Sequence, residues 1–397
     1  MQPKIRKLVR AVTGSSKITQ AAIDKLSANL KPADYVFVTQ YFVKGGAEKV
    51  MLHYISALRE LDPSLKIAIV TTDVGPGPSW TDKIPRDVQF VDGSAVVGDL
   101  MNVYRRKILD AVVRQLKPRM IHIVNSGSGY LWVRDHADDL KKLGVKVFAS
   151  LFNSDYTRAG KLRSYYHKFL PAAAATGMIS RVFTDNAAVV DEATEYTGLP
   201  RRLFKVHYQP VEFKVKEPRE LPEDRKLHIL WASRIAWQKR PDILREIAER
   251  LDPNRFIITV RGEFDPEYSE DYFAGLPALK YGGKFSSVAE LQTGRYDVFM
   301  YTSQADGVPN ILLEMLAEGM LIVAPDEGGV SEVVNDRTGI LVEPYDDVDG
   351  YVAALNWIHG ARPNLTKRVV AGQKLLLTRH NWKVFVEQVE KDIYEKI

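Results

Sequence analysis

Residues Leu227–Leu251 read LHILWASRIAWQKRPDILREIAERL. The opening six residues, Leu227–Ala232, are apolar and rich in strand formers. The closing stretch, Pro241–Leu251, spaces Ile243, Leu244, Ile247 and Leu251 along one helical face, with Pro241 at its start. Between them lies a polar loop carrying Arg234 and Lys239. This strand, loop, helix unit recurs on both sides of it. Upstream, strands are expected at Tyr35–Thr39, Leu65–Thr71, Met120–Val124, Val145–Leu151, Val182–Thr184 and Phe204–His207, with helices at Ala47–Glu60, Val103–Gln115, Arg134–Leu143 and Asn186–Thr197 between them. Downstream, strands at Phe256–Arg261, Val298–Tyr301, Leu321–Ala324 and Gly339–Val342 alternate with helices at Val288–Thr293, Pro309–Glu318, Val330–Val334, Val348–His359 and Thr366–Arg379. Such alternation builds parallel, doubly wound sheets, so the fold class is α/β.

The charged stretch Val215–Arg225, with Pro218 and Pro222, reads as a linker. It divides the chain into a basic leader (1–32), a first Rossmann-like domain (33–214) and a second (215–378). Residues 379–397 follow as a terminal helix. In doubly wound sheets ligands sit beyond the carboxyl ends of the strands, so the cleft between the domains is the expected site.

The chain has 397 residues, 45% of them hydrophobic and 26% charged, which is the balance of a globular protein rather than a disordered chain or coiled-coil rod. No apolar run approaches the roughly 18 residues of a membrane span. Without cysteine, disulfides, thiolate catalysis and cysteine-held metals are excluded, and the cytoplasm is favoured. The net charge of +5 is concentrated in residues 1–32, where seven cations, among them Lys4, Arg6, Lys7 and Arg10, face Asp24 alone. The body is near neutral and lacks the basic face of a nucleic-acid binder. The leader is open to three readings: a solvated helix, a contact with an anionic membrane surface at the inner face, or a link to a further element.

Several chemistries are excluded by their missing motifs. Gly75-Pro-Gly77 and Gly127-Ser-Gly129 lack the third glycine of a dinucleotide fingerprint, and no P-loop, G-x-S-x-G or H-E-x-x-H string occurs. The histidines show no i, i+4 pair, so no metal site is expected. What remains is a set of anion-binding signals. Ser303-Gln-Ala-Asp306-Gly307-Val308-Pro309-Asn310-Ile-Leu-Leu-Glu314 follows a strand and places Pro309 as a first helical residue. The free amides of that helix then point at the sheet's carboxyl edge, with Asp306 just before it and Glu314 within it. Arg234 and Lys239 stand at the same edge and suit a diphosphate. Gly45-Gly46, after the first strand, let backbone approach a ligand closely. Taken singly, Asp306 is equally readable as a helix cap, Glu314 as a solvated helix face and the glycine pair as a plain turn.

The ordered set resembles the retaining glycosyltransferases of family 4, which have the GT-B fold of two Rossmann-like domains facing across a cleft. The resemblance runs from Tyr35 to the C-terminus. It rests on Gly45-Gly46, Arg234-x4-Lys239, Asp306-x7-Glu314, Val323-Ala-Pro325, Gly328-Gly-Val-Ser-Glu332, Thr338-Gly-Ile-Leu-Val342 and the ending Trp382-Lys-Val-Phe…Tyr394. It implies a hexosyl transferase using a nucleotide diphosphate sugar, without a cofactor or metal. Arg234 and Lys239 would hold the diphosphate and Glu314 the ribose. Asp306 would contact donor-sugar hydroxyls. Gly307, Val308, Pro309 and Asn310 would offer backbone amides, and Gly45 and Gly46 would close over the phosphates. Tyr281-Gly282 is the expected neighbourhood of the base. The last helix would cross back to the first domain. The acceptor implied is a glycan or lipid-linked glycan, as in bacterial surface polysaccharide synthesis.

Two positions depart from the family pattern. The first signature carboxylate is usually Glu and is Asp306 here. Asn153 stands where many members carry a histidine near the acceptor, leaving Asp155 and His122 as the acceptor-side candidates. A GT-B epimerase and a catalytically silent glycan-binding module are the competing functions; the first would need cleft acid–base groups, and the second has no use for a diphosphate clamp.

Overall fold

The computed structural model describes residues 21–75, 79–93, 102–152, 165–211, 214–221, 225–361 and 365–397. Its first sheet comprises β1 (Tyr35–Thr39), β2 (Ile67–Thr71), β3 (Gln89–Asp92), β4 (Met120–Val124), β5 (Lys146–Ser150), β6 (Ile179–Thr184) and β7 (Phe204–Val206), in the order β3-β2-β1-β4-β5-β6-β7. The second comprises β8 (Leu227–Ala232), β9 (Phe256–Arg261), β10 (Leu279–Tyr281), β11 (Val298–Met300), β12 (Leu321–Pro325) and β13 (Ile340–Val342), in the order β10-β9-β8-β11-β12-β13. Every strand pairing within the two sheets is parallel.

Parallel sheets bury both faces, and alternate residues feed different layers. Val36 and Val38 pack into one layer of the first domain, with Ala68 and Val70 beside them, whereas Tyr35, Phe37, Ile67 and Ile69 pack into the other. The second domain repeats the division, with Ile229 and Trp231 on one side and Leu230 and Ala232 on the other.

Several elements differ from the sequence expectation. Strand β3 was not foreseen, because the half-buried QFVD segment has too little apolar pattern. The helix expected at Arg134–Leu143 is two helices, Gly127–Asp135 and Ala137–Lys142. The first begins at Gly127 because Ser126 caps it, accepting the Gly129 N–H at 3.0 Å. Val288–Leu291 and Val330–Glu332 are single 3-10 turns rather than α-helices. Residues 21–33 belong to the first domain rather than to a separate leader: a helical segment at 21–27 buries Ile23 in the core, and Ala33 donates its N–H to Leu116 O.

The connection between domains is double. Tyr208–Val211 runs beside Arg379–Asn381, with the Val211 N–H donated to His380 O at 2.7 Å and His380 Nδ1 against Gln209 O at 2.8 Å. Beyond this crossing, helix Trp382–Asp392 places Phe385 and Val389 against helix Gly46–Leu61 in the core of the first domain.

Candidate active site between the domains

In each sheet the strand order reverses beside its first strand, between β1 and β4 and between β8 and β11. Loops leaving the strands diverge there and open a crevice. All four of these loops contribute to one cavity of about 410 Å³. The first domain supplies Gly46, Ala47, Val50, Asn125, Phe152 and Asp185, and the second supplies Ser233, Lys239, Tyr301 and Asp306–Glu314 residues.

The second-domain floor is built around Lys239. It lies in a 3-10 turn, Trp237–Lys239, tied to the β11 loop by Thr302, which donates to Lys239 O at 2.7 Å and accepts from Trp231 Nε1 at 2.9 Å. The Lys239 side chain is 19% exposed, and its ammonium donates to Tyr301 Oη at 2.9 Å and is paired with the Asp306 carboxylate. Tyr301 and Ser303 also donate to that carboxylate, Ser303 at 2.8 Å. Burial, then the Asp306 charge, holds the Tyr301 hydroxyl well above its ordinary pKa, so it stays a donor.

Two helix starts face this floor. Helix Asn310–Ala317 has Pro309 as its N-cap, and helix Gly46–Leu61 has Gly45; neither has a side-chain cap. Their first-turn amides and partial positive charges converge on the cavity from opposite domains. Pro309 therefore precedes the helix rather than opening it, and Asp306 is not a cap, because Lys239, Tyr301 and Ser303 occupy its carboxylate. The Glu314 carboxylate lies 3.4 Å from Lys49 Nζ across the cleft, and Lys44 Nζ donates to Ser286 O at 2.9 Å. Gly307 is required for close approach: a Cβ there would stand 2.1 Å from Phe152 O of the first domain.

The cavity thus brings together Gly46, Lys239, Asp306, Gly307, Val308, Pro309, Asn310 and Glu314. Gly45 caps the adjoining helix just outside. Arg234 is at the rim, 60% exposed and 3.6 Å from Asp265, and does not line the cavity. Tyr281 and Gly282 do not line it, and Tyr281 donates to Gly262 O, whereas Phe285 forms part of the wall. His122, expected on the acceptor side, does not line the cavity. It is fully buried inside the first sheet between Tyr35 Oη at 2.8 Å and Ser150 Oγ at 2.7 Å, and burial lowers its pKa to about 3. Asn153 and Asp155 lie outside the described residues.

Tyr301, Lys49 and Asp185 are among the residues at the site that the sequence does not single out. Tyr301 reads as a strand end, Lys49 as an exposed helix residue and Asp185 as part of a strand-to-helix turn. Asp185 is 6% exposed, and burial raises its pKa to about 7.

Residues 226–360 match the family model described as glycosyl transferases group 1. The sulfoquinovosyl transferase SQD2 of Arabidopsis thaliana is 20% identical over 202 residues, 50% of this chain; the match spans 38% of that relative's length. Anabaena HepE, crystallised with UDP, superposes with a TM-score of 0.71 at 17% identity, over 91% of this chain and 100% of that one. A glycosyltransferase from Rickettsia africae does so with a TM-score of 0.69 at 14% identity, over 92% and 98%. The chain has the two-domain GT-B architecture of these glycosyltransferases, and its second domain carries the group 1 match.

Proposed function

We propose that this protein transfers a sugar from a nucleotide diphosphate sugar to a hydroxyl of a glycan or lipid-linked acceptor, with retention at the anomeric carbon, as a family 4 enzyme. The observation that carries the proposal is the Lys239–Asp306 pair set between two helix N-termini without side-chain caps, one from each domain. A cation and two sets of aligned amides suit a diphosphate, and they stabilise the charge that develops on it as the sugar departs. The group 1 match covers this half of the cleft. HepE, which shares the fold, was crystallised with UDP and with UDP-glucose. In this scheme Glu314 exchanges its Lys49 contact for ribose hydroxyls, and Lys49 turns toward the phosphates. Release of UDP or GDP by the wild type, measured across a panel of UDP- and GDP-sugars, tests the proposal; no release from any donor overturns it.

The donor's negative charge is met by protein groups in this scheme, so no metal is needed. Excess EDTA is expected to leave the rate of nucleotide release unchanged. Loss of activity on chelation, restored by Mg²⁺ or Mn²⁺, would refute metal independence.

The acceptor belongs, in this proposal, to surface polysaccharide synthesis at the cytoplasmic face of a membrane. Among the described residues, no helix is long and apolar enough to cross a membrane. Residues 1–20 carry Lys4, Arg6, Lys7, Arg10 and Lys17 and no acidic residue. Each cation near an anionic surface contributes about 1 kcal/mol. Because Ile23 is part of the core, the informative deletion removes residues 1–20 only. It is expected to weaken binding to phosphatidylglycerol-containing vesicles at least about 10-fold in low salt, with folding unchanged. Equal sedimentation of both forms with these vesicles would assign the leader to solvent.

A further inference from the structure

We propose that Glu332 is a positioning residue, the latch that holds the second domain closed on the first; its effect on transfer rests on the transferase function proposed above.

Helix Ala187–Thr197 of the first domain starts beside the cavity, and its leading amides must find acceptors outside the helix. Its own domain supplies two of them. Asn186 Oδ1 accepts the Val189 N–H at 2.8 Å, and Thr184 Oγ1 accepts the Asn186 N–H at 3.4 Å. The two amides between are met from the second domain. Glu332 Oε1 accepts the Ala187 N–H at 2.6 Å and the Ala188 N–H at 3.3 Å. A carboxylate suits this place because a helix start carries partial positive charge. Its other oxygen, Oε2, accepts from the Tyr208 hydroxyl at 2.9 Å, where the chain crosses between the domains. Burial, then the Glu332 charge, raises the pKa of that hydroxyl to about 12, so it remains a donor. At the return crossing, Arg379 donates to Glu332 O at 2.6 Å and lies over the Tyr208 ring, 4.1 Å from its centroid.

The same turn reaches the cavity. Glu332 ends the 3-10 turn that follows Gly329, and the Gly329 N–H is donated to Asp306 O at 3.2 Å. A Cβ on Gly329 would stand 2.8 Å from the Asn186 Cβ and 2.9 Å from the Gly307 carbonyl carbon, so the turn is wedged between the first domain and the loop of Asp306 and Gly307. While the Glu332 carboxylate holds the helix start, that loop stays seated on Phe152 and Asn186 across the cleft. Parting the domains strands two helix amides and a carboxylate at once, which favours the closed form before any donor arrives. Without the latch the closed form becomes a fraction of the population, and apparent nucleotide affinity falls by that fraction. Saturating donor restores closure, so the loss falls on KM and not on kcat.

The test compares wild type, Glu332→Ala, Glu332→Gln and Tyr208→Phe. Small-angle X-ray scattering gives the radius of gyration without ligand and with UDP or GDP, and calorimetry gives the nucleotide Kd. Nucleotide release is followed at rising UDP-glucose, UDP-galactose, UDP-N-acetylglucosamine and GDP-mannose. Ligand-free Glu332→Ala is expected to be more extended than wild type and to return to the wild-type radius when nucleotide binds. Its Kd and KM should rise about 10-fold, with kcat within about two-fold of wild type. Glu332→Gln keeps the shape and one acceptor without the charge; it should fall between the two, and it carries the test if the alanine variant does not fold. Adding Tyr208→Phe to Glu332→Ala should raise the Kd hardly further, because the hydroxyl's partner is already gone. An unchanged ligand-free radius overturns the latch, as does a fall in kcat at unchanged Kd and KM, which reports a purely structural role. A wild type that binds neither nucleotide and releases none overturns the transferase function, and the ligand-free scattering then decides the latch by itself.

Discussion

Lys239→Ala is expected to lower sugar transfer on the order of 100-fold or more, because a preorganised charge donor contributes about 2.7–4 kcal/mol to transition-state stabilisation. The geometry makes the lysine hard to replace. Its ammonium is largely shielded from water, held over the Tyr301 ring at 5.3 Å from the centroid and anchored by Tyr301 and Asp306. Shielding strengthens its interaction with a phosphate. Arg234→Ala is expected to show a loss of the same order for a different reason. Its guanidinium faces Asp265 at the rim, and an exposed pair of this kind is worth only about 0–1 kcal/mol, so it is free to swing onto the diphosphate. The two substitutions should separate in stability: Arg234→Ala leaves the melting temperature unchanged, and Lys239→Ala lowers it by stranding Asp306. Steady-state nucleotide release together with thermal melts checks both, and near-normal turnover in either variant would sink the diphosphate clamp.

The second-domain half of this site is readable in the sequence because its residues sit at fixed offsets from strand ends. Lys239 lies seven residues after Ala232, and Asp306 and Glu314 bracket a helix start, so periodicity and turn chemistry place them at one sheet edge. Contacts across the cleft have no such local signal. Lys49 and Glu314 are 265 positions apart, and Glu332 accepts the Ala187 N–H at 2.6 Å and the Tyr208 hydroxyl at 2.9 Å, from parts of the chain more than 100 residues away. His122 misled for a related reason. A histidine in a strand reads as a candidate acid or base, but only the three-dimensional neighbours, Tyr35, Ser150 and the rings of Phe37 and Phe183, reveal that it is enclosed. Asp185 carries no signal of its own, because Thr-Asp-Asn describes a strand end and a helix cap equally well. The cap is Asn186, which leaves the aspartate to face the cavity.

Asp306→Asn is expected to lose activity by on the order of 100-fold while remaining folded. Were Asp306 a helix cap, asparagine would replace it at almost no cost, since the two residues cap about equally well. The structure removes that role: Pro309 is the cap, and the Asp306 carboxylate accepts from Lys239, Tyr301 and Ser303 instead. Asparagine keeps an oxygen for Tyr301 or Ser303 but removes the charge that holds Lys239 in place. Loss of one charged hydrogen-bond partner at a mostly buried position costs about 1–3 kcal/mol. The two side chains form one pair, so their effects should not add. The double variant Lys239→Ala with Asp306→Asn is expected to be hardly slower than Lys239→Ala alone, because the lysine that asparagine leaves unpaired is already gone. If the losses multiply instead, the two side chains act on the donor independently, and the pair seen here is not the working unit of the site. If Asp306→Asn is stable and fully active with every donor tested, the carboxylate has no part in transfer and the role carried over from the family at this position is wrong.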